Sequence, residues 1–250
     1  PAARMIGDID ILVPSTAVAD AVAALARLGY RVANQYPADH NAYGEFVRAG
    51  DPGAVDLHVE PIDANHLLSA SELWQRSAAV TAAGARFRVP AANDRLLHNL
   101  LHAQIHDLGD FYRGELRLRQ VHEFAVMARA FSPSVDWAGI AQRFADHRLE
   151  TPLQSYLLAA QRLFGLAWPL AAAPSPNAKL HYRRCLMQLR LPLLQGPAMP
   201  WGNLRAAFAA HRMRALYGSR ADLAAWLLHV RQYLRKRPVD AGIARLFRNH

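Results

Sequence analysis

Three aspartates stand at strand positions where apolar residues belong. Asp8 and Asp10 interrupt the run Gly7-Asp8-Ile9-Asp10-Ile11-Leu12-Val13, and Asp56 interrupts Ala54-Val55-Asp56-Leu57-His58-Val59-Glu60. Side chains at i and i+2 of a strand share a face, so Asp8 and Asp10 project together, as do Asp56, His58 and Glu60. Carboxylates held that close repel unless a positive charge lies between them. A divalent cation supplies that charge. Oxygen ligands with retained water suit magnesium, which takes one or two carboxylates together with substrate phosphates. An exposed strand end would also accommodate Asp8 and Asp10, but a second acid-bearing strand about 45 residues later favours a shared site.

Two other residue types invite the same question. His98, His102 and His106 recur every four residues, so they line one face of a helix, and an i, i+4 histidine pair can chelate zinc. No Glu follows His98, so the His-Glu-x-x-His pattern of zinc proteases is not met. The single cysteine, Cys185, excludes an internal disulfide framework and reads as a small core residue. It fits a reducing compartment, and a cytoplasmic location is expected.

The elements that must position these groups fall into two halves. Pro14-Ser15-Thr16 caps a helix over residues 17–28, which Gly29 ends. A strand is expected at 30–34. Gly50-Asp51-Pro52-Gly53 joins strands at 45–49 and 54–60 in a hairpin, and a further strand is expected at 86–89. From Asn93 the pattern is helical almost throughout, with breaks at 132–133, 169–177 and 191–201, where prolines are frequent. The fold class is therefore α+β: an N-terminal mixed sheet with flanking helices, then an all-helical region.

With 250 residues, 52% of them hydrophobic, the chain can bury a sizeable core. Its apolar runs are too short, or too often interrupted by Pro and Arg, to span a bilayer, and no secretory signal is visible. The net charge is +9, and residues 211–250 concentrate it, with nine Arg and Lys against Asp222 and Asp240. Such a segment can meet nucleic acid or anionic lipid, or serve as a solvated face. Within it, Leu223, Trp226, Leu227, Val230 and Leu234 form the apolar stripe of a helix expected to pack inward.

The sequence resembles the nucleotidyltransferase superfamily, specifically its uncharacterised bacterial branch. The resemblance rests on Arg4, the Gly7-Asp8-Ile9-Asp10 strand, the helix ending Leu28-Gly29-Tyr30, and Val55-Asp56-Leu57-His58. It continues through His102, His106 and the segment Arg117-Leu118-Arg119-Gln120-Val121-His122-Glu123, with Glu123 where Asp is more usual, and covers residues 1 to 165 approximately. The superfamily carries a Gly-rich turn ahead of its Asp-x-Asp strand, where backbone N–H groups receive the triphosphate. Six residues before Gly7 cannot supply that turn, so the chain is expected to lack its natural N-terminal segment.

The resemblance implies a metal-dependent transfer of a nucleoside monophosphate from a nucleoside triphosphate, ATP by preference, to an acceptor hydroxyl. Asp8, Asp10 and Asp56 would be the catalytic and metal-binding residues, holding two Mg2+ ions. Arg4, Gly7, His102 and His106 would contact the nucleotide, the histidines lining its cleft. The acceptor, whether small molecule, protein or RNA, is left open. The implied organisation is a catalytic core at 1–92, a helical domain closing the nucleotide cleft at 93–168, and a basic helical region at 169–250 that could contact nucleic acid. A catalytically degenerate relative, acting as a nucleic-acid or protein binding module, is the alternative reading.

Overall fold

A computed structural model describes residues 7–38, 40–106, 109–218 and 223–236. The order of elements begins β1 (Asp8–Leu12), α1 (Val18–Arg27), β2 (Arg31–Gln35), β3 (Ala42–Val47) and β4 (Ala54–His58). The four strands form one mixed sheet in the order β1-β4-β3-β2, with β1 parallel to β4 and the other pairs antiparallel. The turn at 48–53 makes β3 and β4 the expected hairpin, and Gly29 (φ 86°) ends α1 in a left-handed conformation natural to glycine.

Alternation decides what each sheet face does. Val55 and Leu57 of β4 and Phe46 of β3 point to one side, where Val18, Ala21, Val22 and Leu25 of α1 cover them. Asp56 and His58 therefore point to the other side. Two register shifts bracket Gly44, and a Cβ there would come within 2.7 Å of the Asn34 carbonyl, so the close approach of β3 to β2 requires glycine. Ile9 and Ile11, expected in a buried strand, are 57% and 40% exposed, because β1 is the edge of the described sheet.

A second, two-stranded sheet pairs β5 (Ala78–Ala82) with β6 (Ala85–Val89) across Ala83 (φ 50°) and Gly84 (φ 78°), the two positive dihedrals of a tight primed hairpin turn. It follows α2 (Ala70–Arg76), whose start is fixed by a reciprocal capping box between Ser69 and Glu72. Among the described residues nine α-helices follow: α3 (Ala92–Gln104), α4 (Asp110–Arg113), α5 (Leu118–Phe131), α6 (Trp137–Asp146), α7 (Glu150–Phe164), α8 (Pro176–Arg190), α9 (Gln195–Ala207), α10 (Ala210–Tyr217) and α11 (Leu223–Lys236). The expected α+β plan is thus observed.

The larger core is helical. It runs from Ile62 and Leu67 through α3, α5, α6 and α7 to Ala206 and Ala209, and Leu12 of β1 packs against it. Phe124 and Tyr156, both fully buried, meet edge to face at 5.2 Å, and the Tyr156 hydroxyl donates to Asn99 Oδ1 at 3.0 Å.

Two expectations change in the C-terminal third. The proline-rich stretch 191–201 is a break only to residue 194; α9 begins at Gln195 and keeps Pro200 inside, where Pro200 forgoes a single hydrogen bond to the preceding turn. In α11, Leu223 and Leu227 are 77% and 61% exposed. The helix docks instead by Trp226 and Tyr233 against Phe208, and by a bond between His229 Nε2 and the Ala207 carbonyl at 3.0 Å. Arg220, Arg237, Arg245 and Arg248, and the side chains of Arg235 and Lys236, lie outside the described residues.

Candidate active site

Parallel pairing of β1 with β4 sets Asp10 directly beside Asp56 and Asp8 beside Ala54, with all four side chains on the face away from α1. Leu12 pairs with His58 in the same ladder. Antiparallel pairing then extends the row, because Asp56 is opposite Glu45 of β3 and Glu45 is opposite Asn34 of β2. One lateral line thus carries Asp10, Asp56, Glu45 and Asn34 across the four strands. Ligand atoms of Asp10, Asp56 and His58 all lie within 4.8 Å of one another. Asp8 shares their face but is not in that group.

The two paired carboxylates sit in different surroundings. His58 Nε2 is 3.3 Å from Asp10 Oδ1, and Asn41 Nδ2 is 3.3 Å from His58 Nδ1. With Asn41 donating to Nδ1, the ring presents Nε2–H to Asp10. That hydrogen bond, with the nearby imidazoles of His58, His98 and His102, holds the Asp10 carboxyl below its usual range against the opposing effect of burial. Asp56 is pushed the other way, first by burial and then by the charge of Asp10, with Glu45 and Asp8 adding to it. Its Oδ1 is buried with no hydrogen-bond partner among the described residues. A buried carboxylate oxygen left unpaired beside another carboxylate is costly in the absence of a cation. Two carboxylates at one point, one open to solvent, match the donor set of a hard divalent ion that retains water.

Helix α3 lies within electrostatic reach of Asp10 through His98 and His102. Burial lowers the pKa of His98, whose Nε2 donates to the Pro61 carbonyl at 3.1 Å. His102 Nδ1 accepts from Gln120 Nε2 at 3.1 Å, and successive rings along the face are 5.8 and 4.9 Å apart. His98 and His102 are both felt electrostatically by Asp10. His106 is turned to Asp63, with Nδ1 to Oδ1 at 2.9 Å, and Asp63 also accepts from Arg212 at 2.8 Å. Burial would raise the Asp63 carboxyl, but His106 and Arg212 together hold it low. Gly7 contributes its carbonyl to the ladder, accepting from Ala54 N–H at 3.0 Å, and has open space where a Cβ would stand. Arg4 lies outside the described residues. Glu60 is engaged elsewhere, since its Oε2 accepts from the Ala70 amide at the start of α2 at 2.8 Å.

The acids, their strands and the histidine helix coincide with a known family. A family described as uncharacterised nucleotidyltransferase matches residues 1–165. The chain belongs to this nucleotidyltransferase family. Neither a curated protein nor a solved structure matches it. Nucleotide transfer is the family's general activity, and β1, β4 and α3, which carry Asp8, Asp10, Asp56, His58, His98 and His102, all lie inside the matched span. No helix among the described residues is long and apolar enough to cross a membrane.

Glu45 is the site residue that the sequence reading passed over. Its position at the start of the hairpin is visible in the chain, but its place beside Asp56 depends on the β3–β4 register. The available signal was another acid inside an apolar alternation, Tyr43-Gly44-Glu45-Phe46-Val47.

Proposed function

We propose that this nucleotidyltransferase is magnesium-dependent and transfers a nucleoside monophosphate from a nucleoside triphosphate, ATP being the first to test, to an acceptor hydroxyl. The observation carrying the reading is the pairing of Asp10 with Asp56, whose buried Oδ1 has no partner among the described residues. Asp10 and Asp56 would hold the ions, with Asp8 facing them from the start of β1. When bound, divalent ions neutralise charge on the triphosphate and favour ionisation of the acceptor hydroxyl.

The chain's own groups divide the remaining work. His58, fixed by Asn41, orients Asp10 and keeps it ionised. Asp56, with its raised pKa, suits a base that takes the acceptor proton as the acceptor oxygen bonds to the α-phosphorus and the bond to pyrophosphate breaks. Glu45 supports that raised pKa from the neighbouring strand. His98 and His102 of α3 close the opposite side of the cleft, where a base or ribose can lie.

The test is direct. The full chain is incubated with Mg2+ and α-labelled nucleoside triphosphates in a cell lysate, and labelled product is sought alongside a thermal-shift measurement. Magnesium with ATP should raise Tm, since a ligand bound only by the folded state stabilises it by mass action. The paired change Asp10→Asn with Asp56→Asn should abolish both the shift and the label. Labelling that survives in that variant would place the chemistry elsewhere. No shift and no label with the unaltered chain would leave the fold as a binding module.

A further inference from the structure

The helical half contains a cavity of about 680 Å³, within the size range of small-molecule sites, which shares no residue with the acidic face of the sheet. Its lining includes Arg148, Arg184 and Arg205 and no Asp or Glu. Among the described residues none of these three guanidiniums is in an ion pair with a carboxylate. Arg184 is half-buried and held in place, its Nη2 donating to the carbonyls of Arg113 at 2.9 Å and Tyr112 at 3.3 Å. Those carbonyls orient the group without neutralising it. Gly114 (φ 75°) makes room for it, since a Cβ there would stand 2.6 Å from Arg184 Nε. Burial and the neighbouring Arg205 charge both work against the Arg184 cation. Two cations thus stay close together with no acid among the cavity's lining residues.

Arg148 adds an independent sign. It closes α6, its N–H bonding to the Ala145 carbonyl while that of Leu149 bonds to Phe144, at the position where a helix stop normally uses glycine. Its φ of 57° is strained for an arginine, yet its side chain borders the cavity. The first turns of α7, α8 and α10 also border the space, through Thr151, Asn177 and Ala210, and helix starts favour anions. The histidines of the wall add no charge near neutral pH. Burial pushes His181 down to about 4 and His211 to about 3, and His211 is engaged with Tyr112 Oη at 3.0 Å and His66 at 3.3 Å.

We propose that this cavity binds a small organic phosphate, its phosphate held by Arg148, Arg184 and Arg205 and its apolar part laid among Phe111, Leu180 and Phe208. Guanidinium forks match phosphate oxygens, and three of them on an acid-free wall suit a dianion better than a single carboxylate. The concave shape suits a small molecule rather than a polynucleotide, which would need an extended basic track.

Isothermal titration of the full chain tests this, with phenyl phosphate as probe and inorganic phosphate and phenol titrated separately. Phenyl phosphate should bind at least tenfold more tightly than either fragment. Arg205→Gln and Arg148→Gly should each weaken it tenfold or more, and Asp10→Asn should leave it unchanged. Arg148→Gly keeps the test sound if Arg184 proves necessary for folding, because glycine suits the left-handed φ at that helix stop. Absent binding of phenyl phosphate, equal binding of inorganic phosphate, or undiminished affinity in both arginine variants would overturn the proposal. Loss of binding in Asp10→Asn would move the phosphate to the acidic face.

Discussion

Asp10 and Asp56 are immediate neighbours across the parallel β1–β4 ladder, yet one is held acidic by His58 while the other is raised and leaves a buried oxygen without a partner among the described residues. Two like groups whose surroundings drive their pKa values apart mark a division of roles, one staying ionised and the other ready to exchange a proton.

Removing the Asp56 charge should therefore separate stability from activity. Asp56→Asn eliminates repulsion from Asp10 and Glu45 and supplies a donor, so the metal-free protein should gain about 1 kcal/mol, read as a higher Tm. Binding of Mn2+, followed by the loss of its free-ion electron spin resonance signal, should disappear. A destabilised variant that still takes up Mn2+ would contradict both halves.

The pH dependence of ion binding has a definite sign. Because the Asp56 pKa lies above the ordinary carboxylate value, protonation competes with the ion at a higher pH than for a free aspartate. Mn2+ affinity should fall as pH drops towards and through the ordinary carboxylate range. In Glu45→Gln the Asp56 pKa should move back down, carrying the midpoint of that loss to lower pH. An unchanged midpoint would mean that Glu45 is not felt at the site.

The acids were legible in the sequence because Asp8, Asp10 and Asp56 break apolar runs at positions where burial gives carboxylates no reason to be. The helical face of His98 and His102 was legible from spacing alone, whereas His106 falls just past the end of α3, which stops at Gln104. Glu45 was not, since its role exists only once β3 is in register with β4, a long-range fact. Likewise β5, Ala78-Ala79-Val80-Thr81-Ala82, reads locally as helix-forming alanine, and only pairing with β6 makes it a strand. Exposure of Ile9 and Ile11 followed from strand order, and the docking of α11 by Trp226 and Tyr233 from where Phe208 stands. Arg148, Arg184 and Arg205 belong to three separate elements, so no local pattern could gather them.

Acid should weaken the junction of α2 with α6. Arg143 binds Glu72 at 2.7 Å and the Leu67 carbonyl at 2.7 Å, and the Arg143 hydrogen bond leads in lowering the Glu72 pKa from 4.5 to about 2. A depressed carboxyl pKa stabilises the fold above the unfolded value, and this contribution is lost as pH falls from about 4.5 through about 2. With roughly a third of each side chain exposed, it should amount to about 1–2 kcal/mol after allowance for solvent screening. Urea unfolding of Glu72→Gln at pH 7 and at pH 3 should show a deficit that shrinks at the lower pH. A deficit equal at both would exclude the ion pair as its cause.

Arg148→Gly should cost the fold nothing. Relief of the left-handed φ, about 1 kcal/mol, offsets the greater chain entropy that glycine brings to the unfolded state. A Tm within about 2 °C of the parent is expected, corresponding to a change of no more than about 1 kcal/mol. A drop several times larger would show the arginine side chain to be structural.

The cavity has two owners. Its Tyr112, Arg148 and Thr151 come from the span that defines the family, while Arg184, Arg205 and Phe208 come from beyond residue 165. Contact across that boundary is intimate, since a methyl group on Gly202 would collide with the backbone of Arg113 and Tyr112. The chamber is thus a mould of two halves, one from each side of residue 165, pressed together. A change confined to the tail beyond residue 165 would therefore reshape the chamber while leaving β1, β4 and α3, which carry the acids and His98 and His102, as they are.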